Sequence, residues 1–539
     1  MYSKEEQRLY DILAELYKRT GCESAEAEHF ADNAIAYMNG KLPSLGRDID
    51  VRLIKGGTYR IKGYYLENND LSDIRGASTI ITEVQENIVP ALLKKLTGFD
   101  CILYNGGGNL FAIAPADCDT SIGTQLEQEA QRYLVTAESA YYVSKPLALS
   151  ELLGKDYRAK IAEKENELDR RKKLKMSYEP EPVSTMIGCE IAGVTIKADE
   201  NNERKYCGKC KKRIARYRGH NAKTADLFMC GGCLHKYRVG IKQKARYAEE
   251  YRDYLRAHGG ADKADDIIQM QTLNDISSDK IAVIYADGNN MGGIIQGFTK
   301  LTEMTDFSAF VKNTMPEVVY SSMQKCGIRR FEIVAMGGDD IFMIVPGKKA
   351  VAFSLELIKE YNRRFAEKFP KCRSTLSVGT CIAKSGTPIK VMLEAAEDKL
   401  SDAKENVQRE DCGGSLSYTI LNGYNSGGSE NGMLPFSAEE ADSILDYVRD
   451  IVCVRDVKNN TTITRINNIA EAYETAESME EANLFFAYMN AKEDEAEKRI
   501  QLPEIKGYNI IGGCYEKDGR TYTLWNELLE LIGLERERG

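Results

Sequence analysis

One short pattern occurs twice in this chain, and it constrains the fold more than any other feature of the sequence. Residues 334–346 read VAMGGDDIFMIVP, and residues 104–115 read YNGGGNLFAIAP. Aligned on their Phe, both contain Gly-Gly, two variable residues, an aliphatic residue, Phe, three apolar residues and Pro. The variable positions are the acidic Asp339 and Asp340 in the later copy and the uncharged Gly108 and Asn109 in the earlier one. Such a repeat predicts two copies of one structural module.

The flanking sequence extends the repeat over a whole domain. In the later copy, hydrophobic periodicity predicts a strand, a helix, a hairpin, a helix and a strand at 280–287, 307–326, 331–346, 350–369 and 375–383. The earlier copy shows the same order at TYRIKGYYLE (58–67), 78–96, 101–115, 121–137 and 139–149. This β-α-β-β-α-β order is the ferredoxin-like arrangement, so we expect an α+β fold with two such modules.

At 539 residues the chain is too long for a single core. We predict five parts. They are N-terminal helices (1–50), the first module (51–155), a charged helical linker with a cysteine-bearing segment (156–265), the second module (266–422) and a C-terminal helical bundle (423–539). The last part opens with a loop, GYNSGGSENGM (423–433), and its clearest helix is MEEANLFFAYMNAKEDEAEKRI (479–500).

Charge and cysteine usage narrow the class of protein. A net charge of -9 excludes a generic nucleic-acid binder, but residues 204–246 contain 14 Lys or Arg against one acid. That basic segment is suited to RNA or to a sister subunit, although a solvated face has the same composition. The N-terminus has no signal-peptide core, and no apolar run is long enough to cross a membrane. Most of the 14 cysteines are scattered, so we expect a cytoplasmic protein.

The acidic turn is typical of a metal site. Asp287 ends the first strand of the second module, and in a ferredoxin-like sheet this strand neighbours the hairpin that carries Asp339 and Asp340. Carboxylates suit Mg²⁺ or Mn²⁺, and a two-metal site can activate a ribose 3′-hydroxyl and stabilise leaving pyrophosphate. Gly-Gly-Asp-Asp alone also marks a tight turn with solvated acids. The position of Asp287, the module order and the helix LEAAEDKLSDAKE (393–405) favour the metal site.

Four cysteines have the spacing of a zinc ribbon. Cys207-x₂-Cys210, nineteen residues and Cys230-x₂-Cys233 predict a Cys₄ site whose zinc is structural, because four thiolates close the coordination sphere. A redox pair or free thiols are the alternatives. His220 and His235 are not needed as ligands.

Several motifs resemble a known family. IAVIYADGNNMGG, MGGDDIFMIVP, LSVGTCIA and AAEDKLSDAK in the second module are similar to the Palm domain of the large subunit of type III CRISPR effector complexes. That subunit is a relative of polymerases and diguanylate cyclases. DIRGASTII and CILYNGGGNLFAIAP are similar to the family's first, degenerate Palm, and the cysteine segment lies between the two, in the family's order.

The resemblance implies roles for individual residues. It implies metal binding by the three aspartates Asp287, Asp339 and Asp340. It implies nucleotide contacts from Gly337, Gly338 and Lys404, and, in the degenerate turn, from Gly106, Gly107, Gly108 and Asn109. In the family two ATP molecules lie between facing Palms, so only one turn needs acids. A solvated Lys404 and a purely structural glycine turn are the alternatives. The family often has a second acid two residues after the first, where this chain has Asn289.

The resemblance also implies an activity. We expect a nucleotidyltransferase that converts ATP to cyclic oligoadenylate when target RNA binds a crRNA-guided complex with other effector subunits. The alternatives are a stand-alone nucleotide cyclase or synthase of another adenylated messenger, and a non-catalytic scaffold subunit. Many family members begin with an HD nuclease domain. We expect no such activity here, because the chain has only His29, His220, His235 and His258, and none is followed by Asp.

Overall fold

The computed structural model divides the chain into two compact units, which are described separately. The first comprises 1–247, 291–316 and 334–339, and the second 248–290, 317–333 and 340–539. The structure describes residues 2–68, 70–155, 157–174, 190–191, 194–198, 205–221, 224–242, 246–268, 270, 272–370, 373–421, 435–452, 461–476, 478–492, 499–500, 502, 512–517 and 520–536. Within these ranges, no helix has the length and apolar character that crossing a membrane requires.

The first unit starts with two helices that pack on each other, α1 (Lys4–Lys18) and α2 (Ser24–Met38). A capping box begins α1, in which the Ser3 hydroxyl accepts from the Glu6 N–H and the Glu6 carboxylate accepts from the Ser3 N–H. The apolar face of α1, which includes Leu9 and Leu13, is buried in the core of the first module.

The first module is a ferredoxin-like sheet covered by helices. Its elements are β1 (Asp50–Tyr59), α3 (Ile61–Tyr65), α4 (Leu71–Glu83), a π-helical turn (Val84–Ile88), α5 (Val89–Thr97), β2 (Ile102–Gly106), β3 (Asn109–Pro115), α6 (Ile122–Leu134), β4 (Glu138–Val143), β5 (Leu147–Ala148), α7 (Leu149–Leu153) and α8 (Tyr157–Leu174). The sheet order is β2-β3-β1-β4, with β5 beside β1. The hairpin of β2 and β3 therefore lies next to the first strand, as predicted.

The prediction of a strand at TYRIKGYYLE was wrong. The strand is β1, which begins at Asp50 and ends at Tyr59, and Ile61–Tyr65 is helical. Two glycines in the middle of β1, poor strand formers, hid it from the sequence pattern. They are required by close packing, because a Cβ on Gly57 would lie 1.7 Å from the Gly108 carbonyl oxygen.

The cysteine segment forms a small sheet and a helix in the first unit. Its elements are β6 (Glu190–Ile191), β7 (Val194–Ala198), β8 (Tyr217–Asn221), β9 (Thr224–Met229) and α9 (Gly231–Lys242), with the strands in sequential order. Helix α9 packs closely on α4, since a Cβ on Gly76 would lie 1.9 Å from the Lys236 carbonyl oxygen.

The second module repeats the same topology. The chain continues through α10 (Arg246–Ala257), α11 (Ala261–Ala264), β10 (Lys280–Gly288), α12 (Met291–Gly297), α13 (Leu301–Cys326), β11 (Glu332–Gly337), β12 (Asp340–Pro346), α14 (Ala350–Lys368), β13 (Leu376–Lys384), α15 (Ile389–Glu410), β14 (Ser415–Leu421) and β15 (Phe436–Ser437). Its sheet order is β11-β12-β10-β13-β14-β15, the order of the first module with two added strands. The α+β fold with two ferredoxin-like modules is confirmed.

The C-terminal part is largely helical. It contains α16 (Ala438–Asp450), α17 (Thr461–Thr475), α18 (Met479–Ala491), β16 (Cys514–Lys517), β17 (Arg520–Thr523) and α19 (Trp525–Arg536). The hairpin of β16 and β17 was not predicted. The expected loop at 423–433 and part of the expected helix at 479–500 lie outside the described residues. The boundaries of the five parts stay a prediction.

Candidate active site

Two aspartates lie at adjacent strand ends in the second unit. Ala286 on β10 pairs with Ile341 on β12 in antiparallel register. The next pair along these strands is Asp287 and Asp340, whose side chains therefore lie at one edge of the sheet. Asp340 is exposed and Asp287 is half-buried, so this edge can receive a cation from solvent.

Helix α15 brings Lys404 to the same edge. The helix lies directly on β13, where Gly379 allows the approach: a Cβ there would lie 2.1 Å from the Ala396 carbonyl oxygen. From this helix the Lys404 ammonium forms an ion pair with the Asp287 carboxylate. The lysine predicted to contact a triphosphate therefore lies beside a predicted metal ligand.

Asn289 is bonded to the start of β13 through both its side chain and its backbone. Its side-chain amide donates to Thr375 Oγ1 at 2.9 Å, and its Oδ1 accepts from the Ser377 hydroxyl at 3.0 Å. Its backbone N–H donates to the Thr375 carbonyl at 2.7 Å, and its carbonyl accepts from the Ser374 hydroxyl at 3.0 Å. Both ends of the amide are used, so Asn289 anchors the end of β10, and Asp287 is the acid on that strand that was predicted to bind metal.

A cavity of about 410 Å³ adjoins these residues in the second unit. Arg373 on one wall is held by Asp411 through two N–H···O contacts of 2.7 Å to its carboxylate oxygens. The lining consists of the loop after β10, the approach to β13 and the last turns of α15: Gly288, Asn289, Asn290, Arg373, Thr375, Lys404, Val407, Gln408, Asp411 and Cys412. Arg373 was not expected from any sequence motif, yet it adds a second cation beside Lys404.

The two glycine turns meet in the first unit. Gly107 and Gly338 have φ of +56° and +62°, and a Cβ on Gly107 would lie 3.6 Å from the Gly338 Cα. Left-handed backbone of this kind favours glycine, which explains the residue at both positions. Gly108 has φ of +82°, Asn109 is exposed, and a Cβ on Gly337 would meet no atom within 4 Å.

A cavity of about 420 Å³ in the first unit lies beside these turns. Its polar wall includes Gly107, Asn109 and Asp339, and its apolar wall includes Met304 and Phe307. Tyr104 also lines it and was not predicted. Burial and the nearby Asp339 carboxylate raise the pKa of Tyr104 to about 12, so its hydroxyl stays protonated and can donate. Cavities of this size, mostly apolar with a few polar groups, suit small organic ligands.

The four cysteines form a site that fits zinc. Among the described residues they are the only group of three or more Cys, His, Asp or Glu whose ligand atoms lie within 4.8 Å of one another. Tetrahedral zinc with Zn–S of about 2.3 Å requires S···S of about 3.8 Å. The Cys210 and Cys230 sulfurs are 3.9 Å apart, and all four side chains are buried. The predicted aspartate trio is not gathered in this way, although its oxygens are the ligands that Mg²⁺ prefers.

Buried ion pairs join the cysteine segment to the first module. Lys209, 4% exposed, contacts Asp73 at 2.6 Å and Asp70 at 2.8 Å. Lys236, 1% exposed, contacts Glu67 at 2.8 Å. Part of the basic segment thus pairs with acids of the first module instead of facing solvent or RNA.

The second module and the fold of the chain are both similar to those of known proteins. Residues 280–412 match the family model Cas10/Cmr2, second palm domain. No curated protein matches the sequence. In fold, the chain is similar to Csm1 in an apo Csm1–Csm4 cassette, with 12% identity, 95% of this chain and 74% of that chain covered, and a TM-score of 0.57.

Other similar structures include ligand complexes. A Csm1–Csm4 cassette in complex with cA4 shares 13% identity over 84% of this chain and 67% of that chain, with a TM-score of 0.51. Csm1 in T. onnurineus shares 12% identity over 88% and 68%, with a TM-score of 0.51. These matches confirm the resemblance that the motifs indicated: residues 280–412 are similar to the Cas10/Cmr2 second palm domain, and the fold of the chain is similar to that of Csm1.

Proposed function

We propose that this chain is the nucleotidyltransferase subunit of a type III CRISPR effector complex that joins ATP into cyclic oligoadenylate. The observation that carries the proposal is the acidic edge of the second module, where Asp287, near the end of β10, lies beside Asp340, at the start of β12, within the Cas10/Cmr2 palm match. Structures of similar fold are complexes with one ATP, cA3 and cA4, which supports ATP as the substrate.

Each unit has a cavity whose chemistry suits part of a nucleotide. In the second unit, Lys404 and Arg373 offer cations for a triphosphate, and the loop after β10 offers backbone next to Asn290, whose φ is +60°. In the first unit, the cavity offers an apolar wall for a purine and the turn glycines for close backbone approach. We infer that Gly107, Gly108 and Asn109 contact one nucleotide without adding negative charge.

Every bond-forming step of the proposed reaction follows the same mechanism. A ribose 3′-hydroxyl oxygen attacks the α-phosphorus of a second ATP, the bond from that phosphorus to its bridging oxygen breaks, and pyrophosphate leaves as the hydroxyl proton is lost. Closure repeats the step within the oligomer. Mg²⁺ or Mn²⁺ held by Asp287, Asp339 and Asp340 would lower the hydroxyl pKa and stabilise the leaving group. Lys404 and Arg373 would hold the triphosphate in place while the 3′-oxygen approaches.

Activation by target RNA and assembly with other subunits form the second part of the proposal. The similar folds include Csm1 bound to Csm4 in a cassette, which supports a partner subunit. The exposed cations of the cysteine segment, among them Lys211, Lys212 and Arg216, leave it able to meet RNA.

Labelled ATP tests the activity. We expect protein assembled with crRNA, partner subunits and target RNA to convert ATP labelled at the α-phosphate into products that resist alkaline phosphatase, because a ring has no terminal phosphate. Omitting target RNA should abolish most of this conversion. Equal conversion by the isolated chain would instead favour a stand-alone cyclase, and phosphatase-sensitive products would rule out ring closure.

A scaffold role is the second candidate, because Asn289 stands where the family often has an acid. Asn289 is bonded to Thr375 and Ser377, so we expect Asn289→Asp to leave turnover unchanged, because its carboxylate can accept from the hydroxyls of both residues. Asn289→Ala, which loses both bonds, should lower the free energy of unfolding by about 1–2 kcal/mol. Urea unfolding and turnover of both variants check this. A large rise in turnover with Asn289→Asp would mean that the side chain reaches the metal.

A further inference from the structure

Arg213 connects the predicted zinc site to the first module. Its guanidinium Nη1 donates to Cys210 Sγ at 3.9 Å and to Cys230 Sγ at 3.7 Å. Its Nη2 donates to the carboxylate of Glu67, which lies between α3 and α4 of the first module. All of these residues belong to the first unit. One guanidinium thus contacts two sulfurs of the cysteine cluster and an acid from another part of the fold.

Glu67 holds Arg213 in this position. The Glu67 side chain is 6% exposed, and its carboxylate also accepts from the Lys236 ammonium at 2.8 Å and from the Thr136 hydroxyl at 3.2 Å. Lys236 in turn donates to the Tyr64 carbonyl at 2.9 Å. Charge-assisted hydrogen bonds from two cations fix the orientation of a buried carboxylate. The first module therefore sets the direction in which the Arg213 N–H groups face the sulfurs.

Asn68 lies against a third sulfur of the cluster. It is 2% exposed, and its Oδ1 lies 3.4 Å from Cys233 Sγ. Its Nδ2 is buried and has no hydrogen-bond partner within the part of the chain that the structure describes. A thiol can donate to Oδ1, whereas a cysteine that binds zinc is a thiolate and only accepts. Turning the amide by about 180° exchanges Oδ1 and Nδ2, so the unpartnered N–H group can donate to the sulfur.

These contacts match the charge of a zinc–cysteine centre. Because cysteine binds zinc as the thiolate, Zn²⁺ with four cysteines carries a net double negative charge. All four cysteines are buried, and a buried charge is costly unless it is paired and hydrogen-bonded. Arg213 offers a positive charge to the cluster, and Arg213 and Asn68 together offer donors to three of its four sulfurs.

We propose that Arg213 and Asn68 complete the zinc site as positioning residues, by donating hydrogen bonds to three of the four metal-bound thiolates. Asn68 and Glu67 come from the first module, so that module sets the affinity of the cysteine segment for zinc. Because such coupling is reciprocal, zinc binding and the packing of the segment on the first module stabilise each other. The inference concerns zinc binding alone and is independent of the proposed nucleotidyltransferase activity.

Zinc affinity and the spectrum of bound Co²⁺, both measured on the full chain, test the proposal. Arg213→Met and Asn68→Leu should each lower zinc affinity about 10–100-fold in competition with a chelator, as loss of a partner of metal ligands does. In the Co²⁺-substituted variants, the sulfur-to-metal charge-transfer band should move to longer wavelength, because the sulfurs have lost a hydrogen-bond donor. Arg213→Lys, which keeps the positive charge and N–H donors, should recover part of the affinity.

A control and the spectrum itself separate this role from a general loss of structure. Arg218→Met removes an arginine of the same segment that pairs with Asp226 and donates to no sulfur, so its affinity and spectrum should match wild type. A variant that fails to fold loses the tetrahedral Co²⁺ spectrum altogether, whereas loss of one donor shifts it. Wild-type affinity and an unshifted band in Asn68→Leu and in the Arg213 variants that fold would overturn the proposal. A wild-type chain that binds neither Zn²⁺ nor Co²⁺ would overturn the zinc site as well.

Discussion

Replacing Asp339 and Asp340 together by alanine is expected to lower ATP turnover at least about a thousandfold, because the turn loses the carboxylates that we propose as ligands of the divalent ions. The fold should survive, since Asp340 is exposed and Asp339 half-buried at the tip of a hairpin. Pyrophosphate release measures turnover, and circular dichroism with thermal melting confirms folding. Lys404 and Arg373, the cations that we propose for the triphosphate, remain in this variant, so weak nucleotide binding should persist.

The chain offers a matched control for this double variant. Asp265 and Asp266 are also adjacent and exposed, and they pair with Arg256 and Arg329 at the surface. Surface ion pairs contribute little to stability, so Asp265→Ala with Asp266→Ala should retain turnover close to wild type. Full activity of the Asp339 and Asp340 variant, in protein shown to be folded, would remove the acidic turn from the mechanism.

Zinc removal is expected to have the second-largest effect. Half of the small core of the cysteine segment is the cysteines themselves, which join Ile196, Tyr217, Met229 and Leu234. We expect a core of this size to need a bound metal, since structural zinc contributes folding free energy directly. Cys207→Ser with Cys210→Ser should therefore unfold the segment and lower the Tm of the first unit by at least about 10 °C.

The effect should reach the first module. Helix α9 follows the last cysteine pair and packs on α4, and Lys209 and Lys236 bury their charges against Asp73 and Glu67. If the segment unfolds, these acids lose their partners in a buried site. Hydrogen exchange across α4 should rise. Cys22→Ser with Cys118→Ser, in the same unit, should leave zinc content and exchange unchanged. Zinc-free protein with unaltered exchange in α4 would contradict this account.

The sequence predicted the parts of the fold that repeat. The duplicated hairpin and its flanking periodicity indicated two ferredoxin-like modules, and the sheet orders confirm them. The sequence did not reveal the start of β1 because Gly56 and Gly57 have no side chains to continue the alternating pattern of a strand. These glycines are needed because Ala140 and Gly108, which are far away in the sequence, approach them closely. Local periodicity cannot report such a contact.

The sequence predicted which residues belong to the candidate site but not which of their side chains contact one another. Spacing indicated the aspartates and the cysteines, and the register of β10 and β12 brings Asp287 beside Asp340. The sequence could not show that Asn289 is bonded to β13, that Lys404 pairs with Asp287, or that Arg373 lines the cavity. These features depend on which side chains meet after strands and helices pack, and no motif encodes them. The roles of Gly337, Gly338, Gly107, Gly108 and Asn109 stay predictions.

Mass spectrometry of the ATP products tests the central claim most directly. The protein, assembled with its guide complex and target RNA, is incubated with ATP and Mg²⁺ or Mn²⁺, and the Asp339→Ala, Asp340→Ala variant is treated in the same way. We expect rings of 3′-5′-linked adenylate from the wild type and none from the variant. A different adenylated product would contradict the proposal that a second ATP is the acceptor. Unchanged ATP after incubation with folded, fully assembled protein would contradict the proposed enzymatic activity and favour a scaffold role.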